Sequence, residues 1–145
     1  MSQQAPPEQP ATRPAFQVTS VTIGAPAPSE LAAFYARLLG WTITADDPAL
    51  PGDPPEASWA QLRPPAGQAG PTLNFEYEAQ FARPVWPARP GEPVPTQHLD
   101  ISVASLDDGV AWAVAAGATV ARFQPQDDVR VLFDPAGHPF CLYVP

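Results

Sequence analysis

The sequence predicts an α+β fold made of two copies of one βαβββ unit. Three observations carry this. Leu62-Arg63-Pro64-Pro65-Ala66-Gly67 precedes the strand-like Thr72–Tyr77, and seventy residues on (Pro65 to Pro135) Leu132-Phe133-Asp134-Pro135-Ala136-Gly137 precedes Phe140–Tyr143. Each copy reads strand, Pro-x-Gly turn, strand, with proline presetting φ early in the turn and glycine accepting φ > 0 at its end. Upstream of each turn lies an alternating strand, then an amphipathic helix, then a glycine. A long period seen only twice indicates a duplicated module rather than a solenoid.

The elements follow in order. Val18 to Ile23 alternates as a strand. Pro28–Leu39 is the first helix, with Leu31, Phe34, Leu38 and Leu39 on one face, Pro28 in its first turn and Gly40 as a left-handed C-cap. Trp41 to Thr44 is the second strand. Asp46 to Glu56, with four prolines and four acids, reads as an exposed loop. Ser58–Arg63 and Thr72–Glu78 complete the module. The second copy repeats the plan with the strand Leu99–Val103 and the helix Ser105–Ala116. Leu106, Val110, Ala113 and Val114 share a face of that helix, Ser105 and Asp108 resemble a capping box, and Gly117 ends it. Trp112 falls off this stripe, as a subunit contact or an ordinary exposed aromatic.

The expected organisation is a disordered Pro-rich tail over 1–15, then a single domain over 16–145. Module one spans 16–78, a connector 79–96, and module two 97–145. The connector holds five prolines and two large aromatics, Phe81 and Trp86, which a plain linker does not need. They either cover an opening or tuck into the edge of the core.

Composition narrows the function. Of 145 residues, 22 are proline, clustered in the tail, the 48–55 loop and the connector, and all seven basic residues are arginine. The net charge of -8 argues against nucleic acid or an anionic membrane surface as a partner. No apolar run approaches membrane length, and residues 1–15 lack the basic start and apolar stretch of a signal peptide. The lone Cys141 allows no internal disulfide. A cytoplasmic protein is expected.

Alternation sorts the strand residues onto two faces. Val21, Ile23, Leu73, Phe75, Tyr77, Leu99, Ile101, Phe140 and Leu142 form an apolar face that must lie under the helices. The opposite face carries Ser20 and Thr22, Asn74 and Glu76, His98 and Asp100, Cys141 and Tyr143. The repeat register adds Trp59, Gln61 and Arg63, with Val131 and Phe133 from the partner strand.

Ala25 to Trp41, His98 to Val103 and the Asp-Pro-x-Gly-x-Pro-Phe run from Asp134 to Leu142 give the chain its family likeness. With the paired modules, they make it resemble the vicinal oxygen chelate superfamily of glyoxalase I, extradiol dioxygenases, fosfomycin resistance enzymes and bleomycin-binding proteins. The resemblance implies that the two modules form a curved mixed β-sheet cup with helices on the outer face, and that the polar face lines it. The ligand-binding candidates are then Trp59, Arg63, Asn74 and Glu76 from module one, and His98, Asp100, Phe133, Cys141 and Tyr143 from module two. The resemblance also implies metal ligands on the first and last strand of each module, at Ser20, Asn74, His98 and Cys141. The enzymes would carry His, Glu, His and Glu there, and only His98 matches, so neither a metal nor another cofactor is expected. Glu76 and Asp100 could join His98 in a shifted site.

Each candidate has a plainer reading beside the functional one. His98 is a general base or ligand-binding group, or a hydrogen-bonded wall residue. Glu76 and Asp100 bind a cationic or hydroxylated ligand, or form a solvated mouth. Cys141 is a nucleophile or a small inward residue, and His138 belongs to turn chemistry. Tyr143, Trp59 and Phe133 stack on a ligand or fill a collapsed cup. The function expected first is metal-independent small-molecule binding of the glyoxalase/bleomycin-resistance kind. The alternatives are an enzyme acting on a small oxygenated substrate through His98 with Glu76 or Asp100, and a dimeric scaffold with no ligand. A homodimer is expected because many relatives form their cups near a subunit contact and open sheet edges are a liability when uncovered.

Overall fold

Two four-stranded mixed sheets, each backed by one helix, share a hydrophobic core in the computed structural model, which describes residue 8 and residues 12–145. The expected tail falls largely outside the described residues. The elements are β1 (Ser20–Ala25), α1 (Pro28–Leu39), β2 (Thr42–Asp47), β3 (Trp59–Arg63) and β4 (Thr72–Tyr77). They are followed by β5 (Leu99–Ser102), α2 (Leu106–Ala116), β6 (Thr119–Val120), β7 (Val129–Phe133) and β8 (Pro139–Tyr143). One sheet runs β1-β4-β3-β2 and the other β5-β8-β7-β6. β1 is parallel to β4 and β5 to β8, while the other neighbours are antiparallel. This is the βαβββ repeat read from the sequence. Among the described residues, no helix is long and apolar enough to cross a membrane.

The helix ends follow local chemistry. Pro28 occupies the first turn of α1 and Gly40 closes it in the left-handed region at φ 67°, its N–H bonded to Ala36 O. At α2 the Ser105 hydroxyl accepts from Asp108 N at 3.3 Å. The helices also cap each other. Arg37 of α1 donates to Ala116 O at 2.8 Å, and the Trp112 indole of α2 donates to Arg37 O and Leu38 O at 3.2 Å each. Trp112 is thus an exposed ring with a polar task at the end of the other helix.

Two sequence expectations are revised. β2 continues through Asp46 and Asp47, which pair with Ala60 and Trp59 after a bulge between Ile43 and Ala45. An edge strand tolerates those acids because its outer side faces water. On α2 the buried face is Ala113 and Ala116, while Val114 is exposed. Small side chains let this helix approach its neighbours closely.

The apolar strand face is the core, as alternation indicated. Ile23, Leu73, Phe75, Phe140 and Leu142 are buried against Leu31, Phe34 and Tyr35. Tyr35 joins the halves: its ring stacks with Phe75 at 5.7 Å and meets Phe140 at 6.2 Å. Its hydroxyl donates to the buried Asp134 carboxylate at 2.8 Å. Asp134 also accepts from Ala136 N and His138 N and holds the His138 ring at 2.8 Å. The far ring nitrogen of His138 lies 2.9 Å from Gly24 O on β1. The Asp134–Phe140 turn is therefore tied to module one. His138 serves turn chemistry, as expected, and bridges the modules as well. Burial and the Asp134 carboxylate together push the Tyr35 phenol well above its usual range.

Candidate functional site

On module one the polar face is a hydrogen-bonded ladder. The β2 bulge carries the Thr44 hydroxyl over Gln61, where it donates to Oε1 at 2.9 Å. Gln61 Nε2 donates to Asn74 Oδ1 at 3.0 Å, and Asn74 Nδ2 to Thr22 Oγ1 at 3.5 Å. The chain of bonds crosses all four strands, and because it ends in a hydroxyl on each side it is satisfied with both amides in either sense. Asn74 is level with Thr22, and Ser20 lies opposite Thr72, so Ser20 and Asn74 are offset rather than paired. One register step along, half-buried Trp59 is the cross-strand partner of exposed Glu76. Arg63 lies exposed at the other end of β3.

Module two brings three ionisable groups together. Asp100 of β5 is level with Cys141 of β8, because those strands run parallel. His98 Nε2 lies 3.3 Å from Asp100 Oδ1, with both side chains more than half exposed. The donor atoms of His98, Asp100 and Cys141 all lie within 4.8 Å of one another. Glu76 is outside this group. Burial raises the Cys141 thiol pKa first, and the charge of Asp100 and a hydrogen bond to it raise it further. The thiol therefore holds its proton, which opposes the nucleophile reading of Cys141.

Phe133 and Tyr143 are half-buried on the same sheet. Phe133 is not a bare stacking surface, since Trp86 of the connector meets it at 6.4 Å and Phe123 at 5.9 Å. Phe81 packs on His138 at 5.4 Å. The connector thus lies against module two through both of its large aromatics. Nothing in the sequence points to the targets of Trp86 and Phe81, because contacts this far apart along the chain leave no periodicity.

Within one chain, among the described residues, no hydrogen bond, ion pair or ring contact joins the module-one candidates to those of module two. Of the two larger clefts, one reaches the polar face at Asp100. One of about 460 Å³ runs along the end of α1 and β5, lined by Leu38, Trp41, Leu73 and Ile101. Another of about 430 Å³ sits at the start of α1 beside Ser29, Asp46 and Glu56. A small cleft of about 120 Å³ lies between the edges of β1 and β5, against Val21, Tyr35, His98 and His138.

The family model for the glyoxalase-like domain matches residues 20–143. The chain belongs to that family. Its relatives by structure come from the glyoxalase/bleomycin resistance/dioxygenase group, the vicinal oxygen chelate superfamily. A glyoxalase family protein from Enterococcus faecalis is 21% identical with a TM-score of 0.61, over 88% of this chain and 96% of that one. A mutant of the fosfomycin resistance protein FosX from Listeria monocytogenes, complexed with Mn(II) and a dihydroxypropylphosphonic acid, is 11% identical with a TM-score of 0.65, over 89% and 92%. TnmS3, an antibiotic binding protein from a Streptomyces species, is 19% identical with a TM-score of 0.53, over 92% and 99%. At these identities the likeness shows the fold alone. No curated protein matches the chain in sequence.

The residues present do not fit the catalytic metal this superfamily implies. Ser20, Asn74, His98 and Cys141 supply one imidazole, two neutral oxygens and one thiol, and Ser20 and Asn74 are offset along their strands. Asp100 adds a carboxylate, but it is engaged with His98 and the thiol. A hard divalent ion wants several anionic oxygens.

Proposed function

We propose that the chain is a metal-independent small-molecule binding protein whose polar sheet faces form the ligand surface. The observation that carries this is the donor set. The faces offer hydroxyls, amides and the Trp59 indole on module one, and on module two the Phe133 and Tyr143 rings beside the clustered His98, Asp100 and Cys141. That set recognises a ligand and does not hold a catalytic ion. TnmS3 gives the reading a precedent within the fold. Elemental analysis of the purified chain tests metal independence. Less than a tenth of an equivalent of any transition metal is the expected result. About one metal per chain, lost in His98→Ala, overturns the reading.

The working unit in this proposal is a homodimer. β1 and β5 are both edge strands, the two halves of the ligand surface are not joined within one chain, and Phe16 and Val18 ahead of β1 are 78% and 85% exposed. Light scattering at tens of micromolar should report twice the chain mass, and a monomer rejects the dimer. The single free thiol suits a reducing compartment such as the cytoplasm.

One observation favours a second reading. His98 sits 3.3 Å from Asp100, the arrangement of a base held by a carboxylate, and could move a proton on a small oxygenated substrate. Turnover of such a substrate that disappears in His98→Gln while binding persists would favour it.

A further inference from the structure

We infer that the module-one face is a subsite for a neutral, hydroxyl-rich ring, a saccharide or the sugar of a glycosylated ligand. This inference rests on the small-molecule-binding reading and names the ligand class for half of that surface.

The ladder leaves hydrogen-bond donors unused. Gln61 Nε2 spends one of its two hydrogens on Asn74, and Asn74 Nδ2 spends one on Thr22. In either sense of the ladder each amide keeps one N–H free for a ligand. Gln61 and Asn74 are half-buried, so covering them with an apolar surface would strand those donors, at the cost of unpaired polar groups. A ligand that covers this face must bring acceptors at close spacing. The ladder itself contains no ionisable side chain. Glu76 and Arg63 lie on opposite sides of it along the strands, so neither a cation nor an anion is favoured throughout.

Trp59 supplies the second element. It lies two residues from Gln61 on β3 and opposite Glu76 on β4. A two-residue step along a strand is about 6.7 Å and neighbouring strands are about 4.8 Å apart. An indole, a carboxylate and two amides therefore share an area the size of one pyranose ring. The C–H face of a sugar packs on an indole, and its hydroxyls both donate to a carboxylate and accept from amide N–H groups. A planar aromatic ligand would use Trp59 and leave the ladder unpaired.

The test is ligand-observed NMR and calorimetry on the full chain. The probes are methyl glycosides of glucose, galactose, mannose and N-acetylglucosamine, set against cyclohexanol and a planar aromatic amide. At least one glycoside should bind, and cyclohexanol should not. Trp59→Ala should weaken that glycoside about tenfold or more, and Trp59→Phe, which keeps a ring, should recover most of the loss. Gln61→Met, which keeps bulk and removes the amide, should weaken it about fivefold or more, read at a temperature where the variant is still fully folded by circular dichroism. If the aromatic amide binds through Trp59 while no glycoside does, the saccharide assignment is wrong and the binding-protein reading stands. If nothing in these or a broader metabolite panel binds, both are wrong.

Discussion

Replacing Tyr35 by phenylalanine isolates the bond that ties the two modules together. The ring is buried and its contacts with Phe34, Phe75 and Phe140, at 4.8, 5.7 and 6.2 Å, survive the change. What is lost is the 2.8 Å bond from the hydroxyl to the buried Asp134 carboxylate. Hydrogen bonds to charged groups contribute about 1.5–3 kcal/mol. Asp134 keeps its bonds from Ala136 N, His138 N and the His138 ring, so the charge is not left bare. A loss of about 2 kcal/mol follows, near the middle of that range. With an unfolding entropy of about 2.1 cal/mol/K per residue over roughly 130 ordered residues, this lowers Tm by about 7 °C. Urea unfolding at pH 7 reads the same loss as a lower midpoint with an unchanged slope. A cycle with His138→Asn should show a coupling of at least about 0.5 kcal/mol, because both side chains act on one carboxylate. A loss below about 0.5 kcal/mol, or strict additivity, would refute the idea that this network couples the modules.

Three further outcomes follow from the same contacts. The folded chain keeps the Tyr35 proton while the unfolded chain releases it above about pH 10. Native protons then outnumber unfolded ones, so stability should fall as pH rises past 10, and Tyr35→Phe should flatten that limb of a urea-midpoint profile. Cys141 should alkylate slowly with iodoacetamide at pH 8, and Asp100→Asn should move the inflexion of the rate–pH curve downward by removing the neighbouring charge; an unmoved curve contradicts the coupling. Gly137→Ala should cost about 1–3 kcal/mol by thermal melting, since φ is 96° and the new Cβ would lie 2.5 Å from Arg83 Cγ; a neutral result would mean that the turn relaxes freely.

Much of this architecture was legible because it rests on period and repetition. The alternation of Leu73-Asn74-Phe75-Glu76 separated the core face from the polar face, and the turn repeat aligned Gln61 with Val131. What escaped depends on contacts without a local signature. Tyr35 is buried although the apolar stripe expected for α1 left it out, and nothing near it in sequence points to Asp134, 99 residues away. The α2 stripe was misassigned at Val114 because an alanine-rich helix gives a weak apolar contrast, and the close-packed face went to Ala113 and Ala116. The acids of β2 looked like loop because an edge strand can carry loop-like residues. The ladder was visible only in part: Gln61 and Asn74 were placed on one face, but the bulge that brings Thr44 to Gln61 is a backbone detail.

A thermal-shift screen of chelator-treated protein tests most directly whether the chain binds its ligand without a metal. A ligand held at 100 times its Kd stabilises the native chain by about 2.7 kcal/mol. At least one glycoside or metabolite should therefore raise Tm clearly in EDTA, and by the same amount after Mn²⁺, Ni²⁺ or Zn²⁺ is added back. A shift that appears only with added metal and is lost in His98→Ala would contradict metal-free binding.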